Sequence, residues 1–433
     1  MRLTRAAAAA LVMWLATPLV TGLGFPSRPA AAADAFPCAG IDATTERSAT
    51  TTPSLPLDLV GVDRATELLG RRGTAPGEGV KVAVVDSGVN LSASPMAPVT
   101  VVEQVPFGVG SPVEFGQGTN LAGLVAGGDR EDGQPTGVAP ATEVVDLRVY
   151  AEPLDSGALD VPTDHVLAAV RWLVEHVEDD GIGVVVMAFD VDGSRELERA
   201  VRALTSQDVV VVAATGDRPI DGQPGFEDLG GAPAPGEDTA GTVHPAAYDG
   251  VLGVTSTAGG VPAEPGGGAD AAASVLLSSD VDVAVPSYGA VTLAPNGATC
   301  AIDPMSSVAA TGIAAGIVAL VRSAYPEENA AQIVARLTSS ASGVSVAPTT
   351  AKGAGVLQPV EALTQKLDPD ESGEVDDMAR EEQEPVRITA PEPQPDPVAG
   401  VLDDARWWGL IGGGALVVAL LLRPLLARRR AAD

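Results

Sequence analysis

The stretch Met305-Ser306-Ser307-Val308-Ala309-Ala310-Thr311, continued by GIAAGIVALV over residues 312–321, carries no charged side chain from Val308 onward. A helix that is apolar on every face belongs in the middle of a domain, where its small residues let neighbouring backbones approach closely. Ser306 and Ser307 stand at its start, where unpaired N–H groups and the positive end of the helix dipole meet. On this stretch alone the serines have two interpretations, a helix cap or a nucleophile.

Five nearly continuous apolar runs indicate the strands of a parallel sheet covered on both faces, at residues 80–85, 144–149, 182–187, 208–213 and 251–254. Apolar residues at helical spacing lie between the second and third runs: Val166, Ala169, Val170, Leu173, Val174 and Val177. Alternating strands and helices predict an α/β fold with helices on both faces of the sheet. Functional sites in such sheets lie at the carboxyl ends of the strands, where we expect Asp86 and Asp217.

The first residues combine Arg2 and Arg5 with an apolar run and a zone of small residues that ends near Ala33. This order is typical of a secretory signal peptide, which predicts residues 1–33 as a cleaved signal. Residues 34–79 are then an N-terminal extension, and residues 80–365 are the globular domain of an exported protein.

A second membrane signal lies near the C-terminus, where the apolar run Trp407–Leu426 is interrupted by Arg423 and followed by three arginines. A bilayer core needs about 20 apolar residues, so the run spans it if Arg423 reaches the interface. The tryptophans at one end and the arginines at the other predict a transmembrane helix over residues 404–427 and a cytoplasmic tail over 428–433. We expect a single-pass cell-membrane protein whose domain lies on the extracytoplasmic side.

Residues 366–403 have the composition of a tether, since Lys366–Pro397 contains eleven acidic residues and six prolines. Such a segment buries too little apolar surface to offset its ordering entropy, so we predict a disordered linker of about thirty residues that reaches roughly 30 Å. The chain's formal charge of −31 argues against nucleic acid as a partner.

Several stretches, in the order Asp, His, Ser, resemble the motifs of subtilisin-like serine proteases. They are Val82–Val89 (aspartate motif), Gly116–Gly127 (histidine motif), Gly137–Pro140, Ala213–Asp217, Val281–Pro286 and Met305–Thr311 (serine motif). With the signal peptide, extension, linker and span, the chain looks most like the mycosins, the membrane-anchored subtilases of actinobacterial type VII secretion. The resemblance implies a subtilisin-like sheet with Asp86 and Ser307 at triad positions.

The same resemblance places Gln117 where the family has its general-base histidine and Asp217 where it has the oxyanion asparagine. An amide cannot accept the serine proton near neutral pH. An ionised Asp217 would repel a developing oxyanion, and losing one donor there typically costs about 10²–10³ in rate. His165, His176 and His244 lie outside the motif, and we expect surface or supporting roles for them.

An acid-active carboxyl peptidase of the sedolisin type is a weaker alternative, because that family has an Asp at the oxyanion position. Its base is Glu, whereas this chain has Gln117, and Leu121 stands where its helper acid is expected.

Cys38 and Cys300 can form one disulfide in an exported chain, and two free thiols are the alternative. The sequence has no metal-ligand cluster, phosphate loop or nucleotide fingerprint, so no cofactor is expected.

Three hypotheses follow. The chain is a catalytically disabled subtilase that stabilises a membrane complex, an active serine endopeptidase, or a peptide-binding ectodomain unrelated to secretion. Gln117 together with Asp217 favours the first, with type VII secretion membrane components as its partners.

Overall fold

The computed structural model describes residues 38, 41, 50–90, 99–110, 112–113, 115–151, 161–218, 233–259, 270–342, 348–375 and 399–429. Side chains are described for these residues except 272, 399–404 and 424–429. Contacts divide the chain into two units, residues 1–376 and 377–433. The predicted signal peptide lies outside the described residues.

The first unit is built on a parallel sheet whose strands are buried Val- and Ala-rich runs. Its strands are β1 (Lys81–Asp86), β2 (Thr100–Pro106), β3 (Glu143–Arg148), β4 (Ile182–Met187), β5 (Val210–Ala214), β6 (Val251–Thr257) and β7 (Val283–Pro286). Their order is β2-β3-β1-β4-β5-β6-β7. A separate antiparallel hairpin joins β8 (Val291–Leu293) to β9 (Thr299–Ala301). The predicted α/β sheet is confirmed, and each of the five predicted runs lies on one of its strands.

Helices cover both faces of the sheet: α1 (Leu55–Val60), α2 (Val62–Arg72), α3 (Gln117–Ala126), α4 (Thr163–Asp180), α5 (Arg195–Thr205), α6 (Ala271–Ser274), α7 (Ser307–Ala324), α8 (Ala330–Ser340) and α9 (Pro359–Thr364). Alternate residues of β1 enter two cores. Val82 and Val84 pack with α3 and α7, whereas Ala83 and Val85 pack with α4 and α5. This double burial is why the strands read as continuous apolar runs rather than alternating ones.

Strand β2 was missed by the sequence analysis. It lies at the edge of the sheet, pairs only with β3, and carries exposed Thr100, Val102 and Glu103. An edge strand with an exposed face lacks the continuous apolar pattern that identified the other strands.

Helix α7 lies in the first core, as its composition predicts, and all but three of its residues are buried. Two glycines allow this close packing. A Cβ atom at Gly316 would lie 2.7 Å from Val138 Cβ, and one at Gly312 would lie 3.0 Å from Leu121 Cδ2. The helix is long and apolar enough to cross a membrane, but its burial explains that apolarity instead.

The second unit contains α10 (Ala399–Arg429), whose residues Ala405–Arg423 form an exposed apolar helix that is a candidate membrane span. The predicted orientation of this span stays a prediction. Residues 430–433 of the predicted tail lie outside the described residues.

The predicted disordered linker begins too early. Arg336 Nη2 donates to Leu367 O at 3.1 Å, Gln332 Nε2 to Pro369 O at 2.8 Å, and Asn329 Nδ2 to Glu371 O at 3.0 Å. Leu367, Pro369 and Glu371 therefore contact α8 or its capping residue, and residues 376–398 lie outside the described part of the chain. The composition argument counted apolar burial and missed main-chain carbonyls that satisfy side-chain donors of α8.

The N-terminal extension is part of the folded unit. Leu57, Val60 and Leu69 of α1 and α2 belong to the first core. Thr50 N donates to Thr299 O at 3.3 Å, and Arg130 Nη1 donates to Thr50 O at 2.8 Å. The disulfide between Cys38 and Cys300 is confirmed, and it joins the extension to β9 across a sequence separation of 262 residues.

Cys38→Ser with Cys300→Ser should lower the free energy of unfolding by about 2–4 kcal/mol, because the cross-link restricts a very long loop in the unfolded chain. Urea unfolding of the full chain in detergent, compared with the wild type under oxidising and reducing conditions, measures the difference. Two free thiols in the non-reduced wild-type protein by mass spectrometry would contradict the prediction.

Candidate functional site

Four elements direct the sequence-predicted residues toward one edge of the sheet. Asp86 ends β1, Gln117 begins α3, Ser307 begins α7, and Asp217 follows β5 by three residues. The carboxyl ends of parallel strands meet at the same edge, which is where α/β folds place their sites. The side chains form two hydrogen-bonded groups there.

The first group is centred on Asp86, which is fully buried. Gln117 Nε2 donates to Asp86 Oδ2 at 3.1 Å and to Ala188 O at 3.2 Å, so the amide spans from β1 to the chain that follows β4. Asp86 Oδ1 accepts from Tyr150 Oη at 2.8 Å and from Ser87 N at 2.7 Å. Burial raises the pKa of Asp86 to about 6, and these hydrogen bonds partly oppose that rise.

Tyr150 was not identified from the sequence. Its ring is buried near Phe115 and Phe189, with centroid distances of 6.1 and 6.3 Å. Burial and the neighbouring Asp86 hold the pKa of Tyr150 well above its usual value, so its hydroxyl stays a neutral donor. Its position two residues after β3, the neighbour of β1, is the signal that could have found it.

The second group joins Asp217 to the start of α7. Ser306 Oγ donates to Asp217 Oδ2 at 2.5 Å, and Ser307 N donates to Asp217 Oδ1 at 2.5 Å. Burial raises the pKa of Asp217, and the bonds from Ser306 and Ser307 partly oppose it. The carboxyl therefore satisfies the main-chain N–H of the first residue of α7.

Ser306 is the helix cap, because its Oγ also accepts from Val308 N at 3.1 Å. Its own N–H donates to Ser287 Oγ at 2.9 Å, and Ser287 Oγ lies 2.7 Å from Ser256 Oγ. This row of serines, in which Ser256 and Ser287 are buried and Ser306 is half-buried, runs from β6 to the cap of α7 and was missed by the sequence analysis. Isolated serines carry no motif, so only the packing reveals it.

Ser307 is the residue that capping leaves unexplained. It is fully buried, and its Oγ makes no hydrogen bond of normal geometry to a described residue, although it lies close enough to Asp217 to help lower the pKa of that carboxyl against the effect of burial. Among the residues that the structure describes, no hydrogen bond connects Gln117 to Ser307. The structure thus brings Asp86 to Gln117 and Asp217 to Ser307, but it does not join them into one proton-transfer chain.

The three histidines lie in other surroundings. His165 Nδ1 is 2.9 Å from Val149 O, His176 stacks on Trp172, and His244 stacks on Tyr248. The main-chain N–H of His244 donates to Asp190 Oδ1 at 3.0 Å, a carboxyl whose pKa burial raises to about 6. Their described hydrogen bonds lead to none of Asp86, Gln117, Asp217 or Ser307.

The described residues contain no group of three or more His, Cys, Asp or Glu side chains placed to hold a metal ion.

Comparisons with known proteins place this site in context. Mycosin-1 of Mycobacterium tuberculosis is 28% identical over 396 residues, covering 82% of this chain and 82% of the relative. The structure of MycP3 protease from the type VII (ESX-3) secretion system superposes with a TM-score of 0.50 at 25% identity, covering 73% of this chain and 91% of that one. A chain of the intact ESX-5 inner membrane complex gives a TM-score of 0.55 at 20% identity, covering 89% and 93%.

The model of the subtilase family matches residues 77–365. This range holds the whole parallel sheet, Asp86, Gln117, Asp217 and Ser307. Since it covers more than half of the chain, this protein belongs to the subtilase family.

Proposed function

We propose that this subtilase is a non-hydrolytic, membrane-anchored component of a type VII secretion complex, which its domain stabilises by contact. The observation that carries the loss of hydrolysis is the bond from Ser307 N to Asp217 Oδ1. A serine protease uses the N–H of its nucleophilic serine to stabilise the oxyanion. Here a carboxyl of the same chain occupies that N–H.

The general base is also replaced. We place Gln117 at the position of the family's histidine, where it keeps a bond to Asp86. Its Nε2 donates to Asp86 and to Ala188 O, so it holds two elements together. An amide cannot take up the proton of Ser307 at neutral pH. The contact is therefore structural.

Two catalytic defects in one unit do not act independently. Losing a single oxyanion donor costs about 10²–10³ in rate, and a carboxylate adds repulsion to that loss. Without a base, the serine is not activated. The oxyanion hole, which sustains the residual rate of proteases that lack a triad, is also altered, so we expect a rate close to that of uncatalysed hydrolysis. Asp86 has a structural reason to remain, because it accepts three hydrogen bonds. Helix capping gives no such reason for the hydroxyl of Ser307, because Ser306 is the cap.

The acid-active alternative has one observation in its favour, the raised pKa of buried Asp217. A protonated Asp217 can donate a hydrogen bond as an oxyanion donor must. The base is still missing, because Gln117 does not titrate and Leu121 packs in the first core, where a helper acid is needed.

The role in a complex is supported by the similarity to mycosins along most of the chain and by the candidate span Ala405–Arg423. We place the domain outside the cytoplasm, next to membrane components of the secretion apparatus.

We expect no labelling of Ser307 by a fluorophosphonate probe and no hydrolysis of peptide substrates at neutral pH. Ser307 lacks a base and its N–H is occupied. Labelling of the full chain is compared with Ser307→Ala and with an active subtilase. Robust labelling that disappears in Ser307→Ala would contradict the proposal.

Restoring both groups tests the assignment of roles. Gln117→His alone should give no measurable activity, because Asp217 still opposes the oxyanion. Gln117→His combined with Asp217→Asn should restore weak hydrolysis that depends on Ser307. The matched controls are the two single variants and the double variant carrying Ser307→Ala. Native turnover without either change would mean that other residues do the chemistry.

Deletion of the gene should impair assembly or stability of the secretion complex, whereas Ser307→Ala should leave both intact. Contact surface, not turnover, is what the complex needs from this domain. Co-purification from detergent-solubilised membranes and a secretion assay measure the effect. A protein that runs alone, with unchanged secretion in the deletion strain, would overturn the scaffold role while leaving the missing hydrolysis untouched.

A further inference from the structure

A cavity of about 410 Å³ lies between the N-terminal extension and the C-terminal end of the first unit. Its lining includes three cationic side chains, Arg72, Arg336 and Lys366, with one carboxyl, Asp368. In a chain with a formal charge of −31, such a cationic lining is unexpected. The volume is within the range of small-molecule sites, which is about 300–1,000 Å³.

The arginines are fixed by a shared aromatic ring. Arg336 lies over the ring of Tyr325 at 3.9 Å from the centroid, and the Arg72 guanidinium is 5.9 Å from it. Arg72 Nη2 donates to Leu363 O at 2.6 Å, and Tyr325 Oη donates to the same oxygen at 2.9 Å. The guanidinium is therefore oriented before any ligand arrives, which reduces the entropy cost of binding.

Two of the three cationic side chains that line this cavity form no ion pair with a described residue. Arg336 is buried and forms an ion pair with Glu328, so its role is structural. Arg72 and Lys366 are exposed and form no ion pair with any described residue. By contrast, Arg71 on the same helix pairs with Glu67 at 3.6 Å. Two cations thus face one cavity without an acidic partner apart from the lining Asp368.

We propose that this cavity binds a phosphate dianion, as inorganic phosphate or as a phosphomonoester. Arg72 supplies the guanidinium N–H groups that Leu363 O does not use, and Lys366 supplies a point charge; phosphate sites use both kinds of donor. The attraction of a dianion to Arg72 and Lys366 outweighs its repulsion by Asp368. A carboxylate carries one negative charge, so its attraction to the two cations is weaker. Salt screens the negative charges of the chain that lie more than about 8 Å from the ligand at physiological ionic strength. The charged groups within that distance therefore decide the binding.

Lysine acylation gives a direct test, because the chain has only three lysines, Lys81, Lys352 and Lys366. Inorganic phosphate added to the full chain in detergent should slow acylation of Lys366 about fivefold, the effect of a contact ion pair. Exposed Lys352 does not line the cavity and should be unaffected. Chloride at equal ionic strength should protect neither lysine.

Matched variants separate a site from general charge. Arg72→Gln should abolish the protection of Lys366, and Arg71→Gln should preserve it. Because Arg72→Gln also removes the bond to Leu363, Lys366→Gln provides a second variant, whose phosphate affinity by titration calorimetry should fall about tenfold. Equal slowing of Lys352, full protection in Arg72→Gln, or unchanged affinity in Lys366→Gln would overturn the proposal.

Nanodiscs distinguish the two sources of the phosphate group. Protection of Lys366 in discs containing phosphatidic acid, but not in discs of phosphatidylcholine alone, would identify a lipid headgroup. Protection by free phosphate with no effect of phosphatidic acid would identify a soluble ligand. Absence of protection in both experiments would refute the site.

Discussion

The buried N-terminus of α7 is the constraint on which the rest of the structure depends. An apolar helix of this length must lie inside the domain, and its first turn then carries N–H groups that water cannot reach. Ser306 Oγ and the carboxyl of Asp217 satisfy these groups from two sides. Leaving a buried donor unpaired costs about 1–3 kcal/mol, so both contacts stabilise the fold as well as shape the candidate site.

The same constraint bears on the proposed loss of hydrolysis, because it concerns an N–H group that a serine protease needs. An oxyanion hole needs an N–H that stays unpaired until the transition state, which is a source of instability in the resting protein. Asp217 removes that instability by accepting from Ser307 N. The amide of Gln117 likewise satisfies groups from two elements, because it donates to Asp86 and to Ala188 O. In both places the observed hydrogen bonds hold separate elements of the fold together.

The N-terminal extension and the residues that follow α9 are also held to the first unit by specific contacts. The extension is fixed to β9 through Thr50 and the disulfide, and residues 366–375 are fixed to α8 through main-chain carbonyls. Between these layers, Tyr325 holds Arg72 and Arg336 at the cavity wall. The described parts of the extension and of residues 366–375 are therefore parts of one folded unit.

The sequence by itself determined five strands of the sheet, the central helix and the expectation that Asp86 and Asp217 lie at the carboxyl ends of strands. It allowed the pairing of Cys38 with Cys300, which the structure decided. Buried strands and helices require apolar residues, which appear as runs in the sequence, and the resemblance to the family motifs identifies the four residues Asp86, Gln117, Asp217 and Ser307. Only the tertiary structure decided that Asp217 accepts from Ser307 N, that Ser306 is the cap, and that Tyr150 supports Asp86. The strand β2 and the packing of residues 366–375 also appear only there. Each of these depends on groups far apart in the chain, and the geometry of such contacts leaves no periodic pattern in the sequence.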